Sequence, residues 1–121
     1  MKGIAFAFMV TAVTCIVLGM LWGIQMSASG DHTLKSAHAH LNLVGWVTMG
    51  LFGLYYHVVP AAAARGLARI HYVVALAGVV LMVPGIVMAI SGQGEILAIL
   101  GSFLTLGSMV IFLITVVMNR A

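Results

Sequence analysis

Charge is what this 121-residue sequence most lacks: only 6% of its residues are charged, and Asp31 and Glu95 are its only carboxylates. A soluble domain of this size carries about a quarter charged residues. Hydrophobic residues make up 64% of the chain, and its mean hydropathy is +1.24. A surface with so few charges cannot be mostly aqueous, so the composition predicts an integral membrane protein.

Other missing residues and motifs exclude several classes of function. Cys15 is the only cysteine, so neither an intrachain disulfide nor a CxxC motif is possible, and we interpret it as a buried structural thiol. No phosphate-binding loop occurs, which gives no support to nucleotide binding. No carboxylate lies within an apolar run to orient a histidine base, which argues against a hydrolase and leaves no predicted catalytic residue. The net charge of +3 rests on few basic residues and does not indicate nucleic-acid binding.

Long apolar runs are what the sequence has instead. Runs at about 4–26, 37–59, 70–90 and 95–118 are each long enough to cross about 30 Å of hydrocarbon. Short connections favour an antiparallel arrangement, so we predict an all-α fold, a four-helix up-down membrane bundle forming one transmembrane domain, 1–121. A cleaved signal peptide ending near 27–29 is the alternative for the first run, although that run exceeds the usual h-region.

The basic residues predict the orientation of these runs. One side of the predicted bundle carries Lys2, Arg65, Arg69 and Arg120, and the other carries Lys35 alone. Positive charge concentrates on the cytoplasmic side of membrane proteins. We therefore expect both termini to be cytoplasmic, in a bacterial inner membrane.

Glycine spacing predicts close helix packing. Gly19 and Gly23 form a GxxxG pattern that lets another helix approach, and Gly78, Gly85 and Gly92 recur every seven residues. Such spacing keeps the last three roughly on one face of the third predicted helix.

Five histidines are unusual beside two carboxylates. Imidazole is a common metal ligand and the usual axial ligand of haem iron, and ionisable groups in membrane spans are often functional. His38 and His40 lie about 200° apart around a helix, so they cannot face the same partner. His40 and His57 are separated by roughly 25 Å along the helix axis, so they cannot ligate the same iron.

His57 and His71 are a better pair for a shared metal or haem. They lie near the same end of consecutive antiparallel helices, close to Pro60 and Arg69 respectively. Arg65 and Arg69 could then pair with haem propionates at that face. The alternative is that both histidines are interfacial and hydrated.

The run His40-Leu41-Asn42, followed by an apolar helix with Gly45 and Gly53 and by Tyr55-Tyr56 and Val58-Val59-Pro60, resembles the second helix of haem-copper oxidase subunit I. The likeness is to cbb-type oxidases and nitric oxide reductases, whose helix begins H-T-N, and to small NnrS-like membrane proteins. It covers about a fifth of the chain. It implies that His40 is an axial ligand of haem b.

The chain departs from that family in having far fewer helices and no histidine set for copper. The resemblance thus implies a b-type cytochrome-like protein for electron transfer or for haem or gas handling, rather than a complete oxidase. One haem b would use His40, and a second would use His57 and His71. His32, a methionine such as Met26 or Met88, or a second subunit would complete the first site, and a redox partner or quinone would exchange electrons.

Two other functions fit the same residues. Copper or zinc could bind to His32, His38 and His40 in a binding or transport bundle, and a cofactor-free assembly subunit would use the histidines only structurally. A homo-oligomer is expected for the haem protein, with a twofold dimer as the default.

Overall fold

The structure, a computed structural model, describes residues 1–120, and these residues form helices and short connections without any β-strand. In chain order the elements are α1 (Gly3–Ser29), α2 (Lys35–His40), a π-helix (Leu41–Thr48), α3 (Met49–Val58), α4 (Pro60–Ala63), α5 (Gly66–Ile90) and α6 (Ile96–Met118). The predicted all-α class is confirmed. The predicted four-helix up-down membrane bundle is not confirmed, because the second segment changes helix type and a short helix follows it.

Three helices, α1, α5 and α6, are long and apolar enough to cross a membrane. Many of their large apolar side chains face outward, with Phe103 and Leu113 on α6 exposed by 70% and 63%. Exposed apolar surface of this extent is stable against lipid and unfavourable in water. Composition and fold thus agree on association with a bilayer.

The second predicted run, 37–59, is built from α2, the π-helix and α3, which follow one another without a break. We call these three elements together the composite helix. It ends at Val58, one residue before the end of the predicted run, and Pro60 takes the first position of α4, where its missing N–H costs nothing.

α1 packs along the composite helix through positions that lack a side chain. A Cβ added at Gly53 would lie 3.2 Å from both the Ala5 carbonyl oxygen and the Met9 nitrogen, and one added at Gly45 would lie 2.8 Å from Cys15 Sγ. Cys15 is buried at this contact, as predicted. Glycine therefore sets how closely these two segments approach.

α5 and α6 form the second close pair. A Cβ added at Gly78 would lie 2.8 Å from Thr105 Oγ1, and Gly85 lies against the backbone of Leu97 and Ala98. The predicted close packing at Gly78 and Gly85 is confirmed. The placement of Gly92 on the same helix face is wrong: α5 ends at Ile90, and Gly92 lies in the following turn with φ +78°, which glycine adopts without strain.

The two pairs meet around α5, which contacts α1 and the composite helix. Since successive segments run antiparallel, the loop at Asp31 and the turn at Gly92 share one end of the molecule, which we call the Asp31 end. The start of α1, α4 and the end of α6 share the other, which we call the Arg65 end.

Candidate functional site

His38 faces α1 rather than solvent. Its Nε2 lies 2.9 Å from the carbonyl oxygen of Gly19, and its ring packs edge-on against Trp22, with 6.0 Å between the ring centroids. Because a carbonyl oxygen can only accept, Nε2 carries the proton and donates it. His38 therefore connects the composite helix to α1 by a hydrogen bond. It points away from His40, as the spacing of the two residues predicts.

Asn42 lies one turn further along the same face. Its amide nitrogen is 3.4 Å from His38 Nε2, and its side-chain oxygen is buried without a hydrogen-bond partner among residues 1–120. Gly19 makes this position possible, because any side chain there would overlap Asn42 Oδ1. A Cβ added at Gly23 would lie 3.2 Å from His38 Nε2. The two glycines of the GxxxG pattern therefore leave room on α1 for the polar side chains of the composite helix.

Replacing Gly19 by alanine is expected to destabilise the protein by about 1 kcal/mol, because the new methyl group displaces the Asn42 amide. Gly50→Ala is the matched control, since its Cβ would lie 3.8 Å from Ala12 Cβ in the same interface and has room. The measurement is reversible unfolding in a graded detergent mixture. Equal stability for the two variants would contradict this description of the interface.

His40 makes a different contact. Its Nδ1 lies 2.7 Å from the carbonyl oxygen of Ser36, one turn earlier on its own helix, and its ring is only partly buried. The Nδ1–H donates to this carbonyl, so the unprotonated nitrogen is Nε2. Histidines that ligate metals are typically held in this way, with the second ring nitrogen bonded to a backbone carbonyl. His40 has the tautomer and the accessibility of a ligand.

The loop before α2 contains the other imidazole of the Asp31 end. His32 Nδ1 lies 3.2 Å from the carbonyl oxygen of Gly30, and the side chain is exposed. Beside it, the hydroxyl and the backbone N–H of Thr33 donate to Asp31, which holds the pKa of that carboxyl below its ordinary value. A charged carboxylate therefore lies next to His32 at neutral pH.

A π-helix of eight residues starts directly after His40. Its wide turn is visible in the hydroxyl of Thr48, which donates to the carbonyl oxygen of Leu43 five residues earlier at 2.9 Å. π-Helical turns are rare and occur frequently at functional sites. This π-helix lies between the histidines of α2 and the aromatic residues of α3.

At the Arg65 end, His71 is fully buried on α5. Its Nδ1 lies 2.8 Å from the hydroxyl of Tyr56, and its Nε2 has no hydrogen-bond partner among residues 1–120. Aromatic rings surround it, with centroid distances of 4.4 Å to Phe52, 5.1 Å to Phe8 and 5.8 Å to Phe112. This cluster joins α1, α3, α5 and α6.

His57, predicted to share a cofactor with His71, is exposed, and the neighbouring Tyr56 makes the contact with His71 instead. Arg65 and Arg69 are exposed as well. The aromatic rings fill the space around His71, so a porphyrin between His57 and His71 does not fit this arrangement.

No three His, Cys, Asp or Glu side chains within residues 1–120 lie close enough together to hold a metal ion. Comparison of the chain with protein-family models, with curated proteins and with solved structures finds no match. The fold and these side chains thus define an all-helical protein with three helices able to cross a membrane. Its one accessible histidine of ligand-like geometry within a helix at the Asp31 end is His40.

Sequence reasoning missed two polar residues that the structure brings to the histidines. In the sequence, Asn42 and Tyr56 stand out only as parts of the run that resembles an oxidase helix. A usable signal was present for Asn42, because it lies four residues after His38 and such residues share a helix face. No comparable signal linked Tyr56 to His71.

Proposed function

We propose that this protein is a b-type cytochrome-like membrane protein that binds haem b at its Asp31 end through His40. The observation that carries the proposal is the hydrogen bond from His40 Nδ1 to the Ser36 carbonyl oxygen at 2.7 Å, which leaves Nε2 unprotonated on a partly exposed ring. The resemblance of the run starting at His40 to an oxidase helix supports the same residue. A bound haem b would supply one-electron chemistry.

The position of His40 supports a site between two copies of the chain. His38 already donates to Gly19, and Met26, a candidate second ligand, is buried with 5% exposure. Neither side chain is free to turn toward His40 without loss of its own packing. We propose His40 of another copy, related by a twofold axis as is common in homo-oligomers, as the second axial ligand, and His32 and Met88 of the same chain are the alternatives.

The proposal contains one haem site and omits the second at His57 and His71. The ring cluster holds His71 by packing and by the Tyr56 hydroxyl, so its role in this proposal is structural. His57, Arg65 and Arg69 remain at the Arg65 end, where the arginines set orientation.

The composite helix acts as a fourth membrane span in this proposal. Its residues continue the apolar pattern of the three helices that qualify by length, and it packs beside α1 along most of its course. With four spans, both termini lie on the side of Lys2, Arg65, Arg69 and Arg120, which is the cytoplasmic side by charge. His40 then lies toward the opposite face.

The proposal is tested by optical spectroscopy of the purified protein after expression with haem supplied. We expect a Soret band and, after reduction, a sharp α-band in the wild type. His40→Ala is expected to lose both, because it removes the iron ligand. His57→Ala is the matched control, since it removes an exposed imidazole from the far end of the composite helix, and it is expected to keep the spectrum.

A wild-type protein without a Soret band, or a His40→Ala variant that keeps it at full intensity, would overturn the haem assignment. Circular dichroism of each variant checks that the helices are retained. One alternative has its own support: His32 and His40 both direct Nδ1 to a backbone carbonyl and leave Nε2 free at the same end. Bound copper or zinc that is lost in both His32→Ala and His40→Ala, without haem at any stage, would favour that metal site.

A further inference from the structure

One cavity of the described residues lies at the Arg65 end and takes no part in the haem proposal. It has a volume of about 610 Å³ and is open to one side, between the first turn of α1 and the junction of α3 with α4. Lys2 and His57 are among the titratable residues that line it, and Ile4, Pro60 and Ala63 contribute apolar surface. A polar group beside apolar surface at a membrane boundary is suited to an amphiphile.

The charged side chains at the Arg65 end, where this cavity lies, have one sign. Lys2, Arg65, Arg69 and Arg120 belong to the Arg65 end, whereas Asp31 and Glu95, the only side-chain carboxylates of the sequence, belong to the other end. The basic groups therefore have no side-chain counter-ion near them. Anionic lipid headgroups attract basic residues at a membrane surface by about 1 kcal/mol each, so an external anion is favoured here.

The backbone adds to this attraction. The N–H groups of Gly3, Ile4 and Ala5 lie in the first turn of α1, where no carbonyl of the helix can accept from them, and these residues line the cavity. The first turn holds no acidic side chain, and no side chain caps it. Lys2 and His57 themselves form no side-chain hydrogen bond within residues 1–120, so their donors are also available to a ligand.

We propose that this cavity binds the phosphate headgroup of an anionic phospholipid, with Lys2, His57 and the first turn of α1 around the phosphate and Ile4, Pro60 and Ala63 against the glycerol and upper acyl chain. Inorganic phosphate shares the anionic chemistry but lacks the apolar part. The lipid therefore binds more tightly than the free ion.

The test is titration of the full chain in mild detergent, followed by native mass spectrometry, with phosphatidylglycerol, phosphatidylcholine or inorganic phosphate. We expect phosphatidylglycerol to bind most tightly. Lys2→Gln is expected to weaken it about five-fold, the effect of one basic residue near a lipid phosphate. Lys35→Gln is the matched control, because it removes the same charge at the Asp31 end and is expected to change nothing.

A second pair of variants tests the cavity without changing charge. Ala64, directly after α4, lines the cavity, and Ala61, on α4 and also exposed, does not. Ala64→Trp is expected to abolish the preference for phosphatidylglycerol, and Ala61→Trp to keep it. Equal binding of phosphatidylglycerol and phosphatidylcholine, equal binding of inorganic phosphate, or indifference to both Lys2→Gln and Ala64→Trp would overturn the proposal.

Discussion

Alanine at Gly85 or Gly101 is expected to destabilise the protein by about 3 kcal/mol, the upper part of the range for overpacking a close interface. A Cβ at Gly101 would lie 2.5 Å from the nitrogen and 2.6 Å from the Cα of Met82, and one at Gly85 would lie 2.6 Å from the carbonyl carbon of Leu97. These neighbours are backbone atoms, so no side-chain rotation relieves the overlap. α5 and α6 would have to separate along much of their length.

Gly107→Ala is the matched control, because Gly107 also lies in α6 but a Cβ there would be 3.9 Å from Val74 Cγ1, its nearest neighbour. It is expected to be neutral or to stabilise the helix by up to about 1 kcal/mol, since alanine restricts the unfolded chain. Unfolding by a denaturing detergent, followed by circular dichroism, compares the three variants. Unchanged stability of both Gly85→Ala and Gly101→Ala would contradict the direct backbone contact.

Removal of the buried imidazole is expected to have a similarly large effect. His71→Ala deletes a ring that packs against Phe8, Phe52 and Phe112 and accepts or donates the Tyr56 hydrogen bond, and we expect a loss of about 3 kcal/mol. The cavity left behind accounts for most of it, because four helices converge on this ring. The same unfolding assay measures the loss.

A double-mutant cycle separates the hydrogen bond from the packing. Tyr56→Phe leaves a buried ring nitrogen of His71 without its partner and is expected to cost about 1–2 kcal/mol. In the background of His71→Leu the same change is expected to cost close to nothing, because both polar partners are then gone. Equal costs in the two backgrounds would mean that the 2.8 Å contact contributes no stability.

The membrane character of the chain could be predicted from its sequence because it depends on composition alone. Apolar runs of sufficient length predicted α1, α5 and α6, and small residues at seven-residue spacing predicted where α5 meets α6. Gly92 is the exception, because the seven-residue spacing of glycines continues past Ile90, where α5 ends.

The faces of the second predicted span could not be predicted in the same way. In an ordinary α-helix, the direction in which His40 points around the axis fixes the directions of Tyr56 and His57. The π-helix at Leu41–Thr48 has a wider turn, so the side chains after it point in different directions from those that an α-helix predicts. The positions of His57 and His71 near the same end of their helices therefore pointed to the correct turn of α3. The residue of that turn in contact with His71 is Tyr56 rather than His57. No composition signal marks a π-helix.

The Asp31 end was more predictable, because His38 and His40 lie before the π-helix. Their angular separation predicted that they face different neighbours, and the structure places one against Gly19 of α1 and the other on Ser36 of its own helix. The sequence alone could not say which ring nitrogen of each histidine carries the proton, because that depends on the carbonyl each ring reaches.

The haem-to-protein ratio of the purified protein, measured as the pyridine haemochrome together with the mass of the detergent-solubilised oligomer, tests whether His40 binds haem b between two copies. We predict haem b in a dimer at about one haem for every two chains, because one His40 from each copy ligates the same iron. A dimer or monomer that holds no haem after expression with haem supplied, or haem bound to a monomer independently of His40, would contradict it.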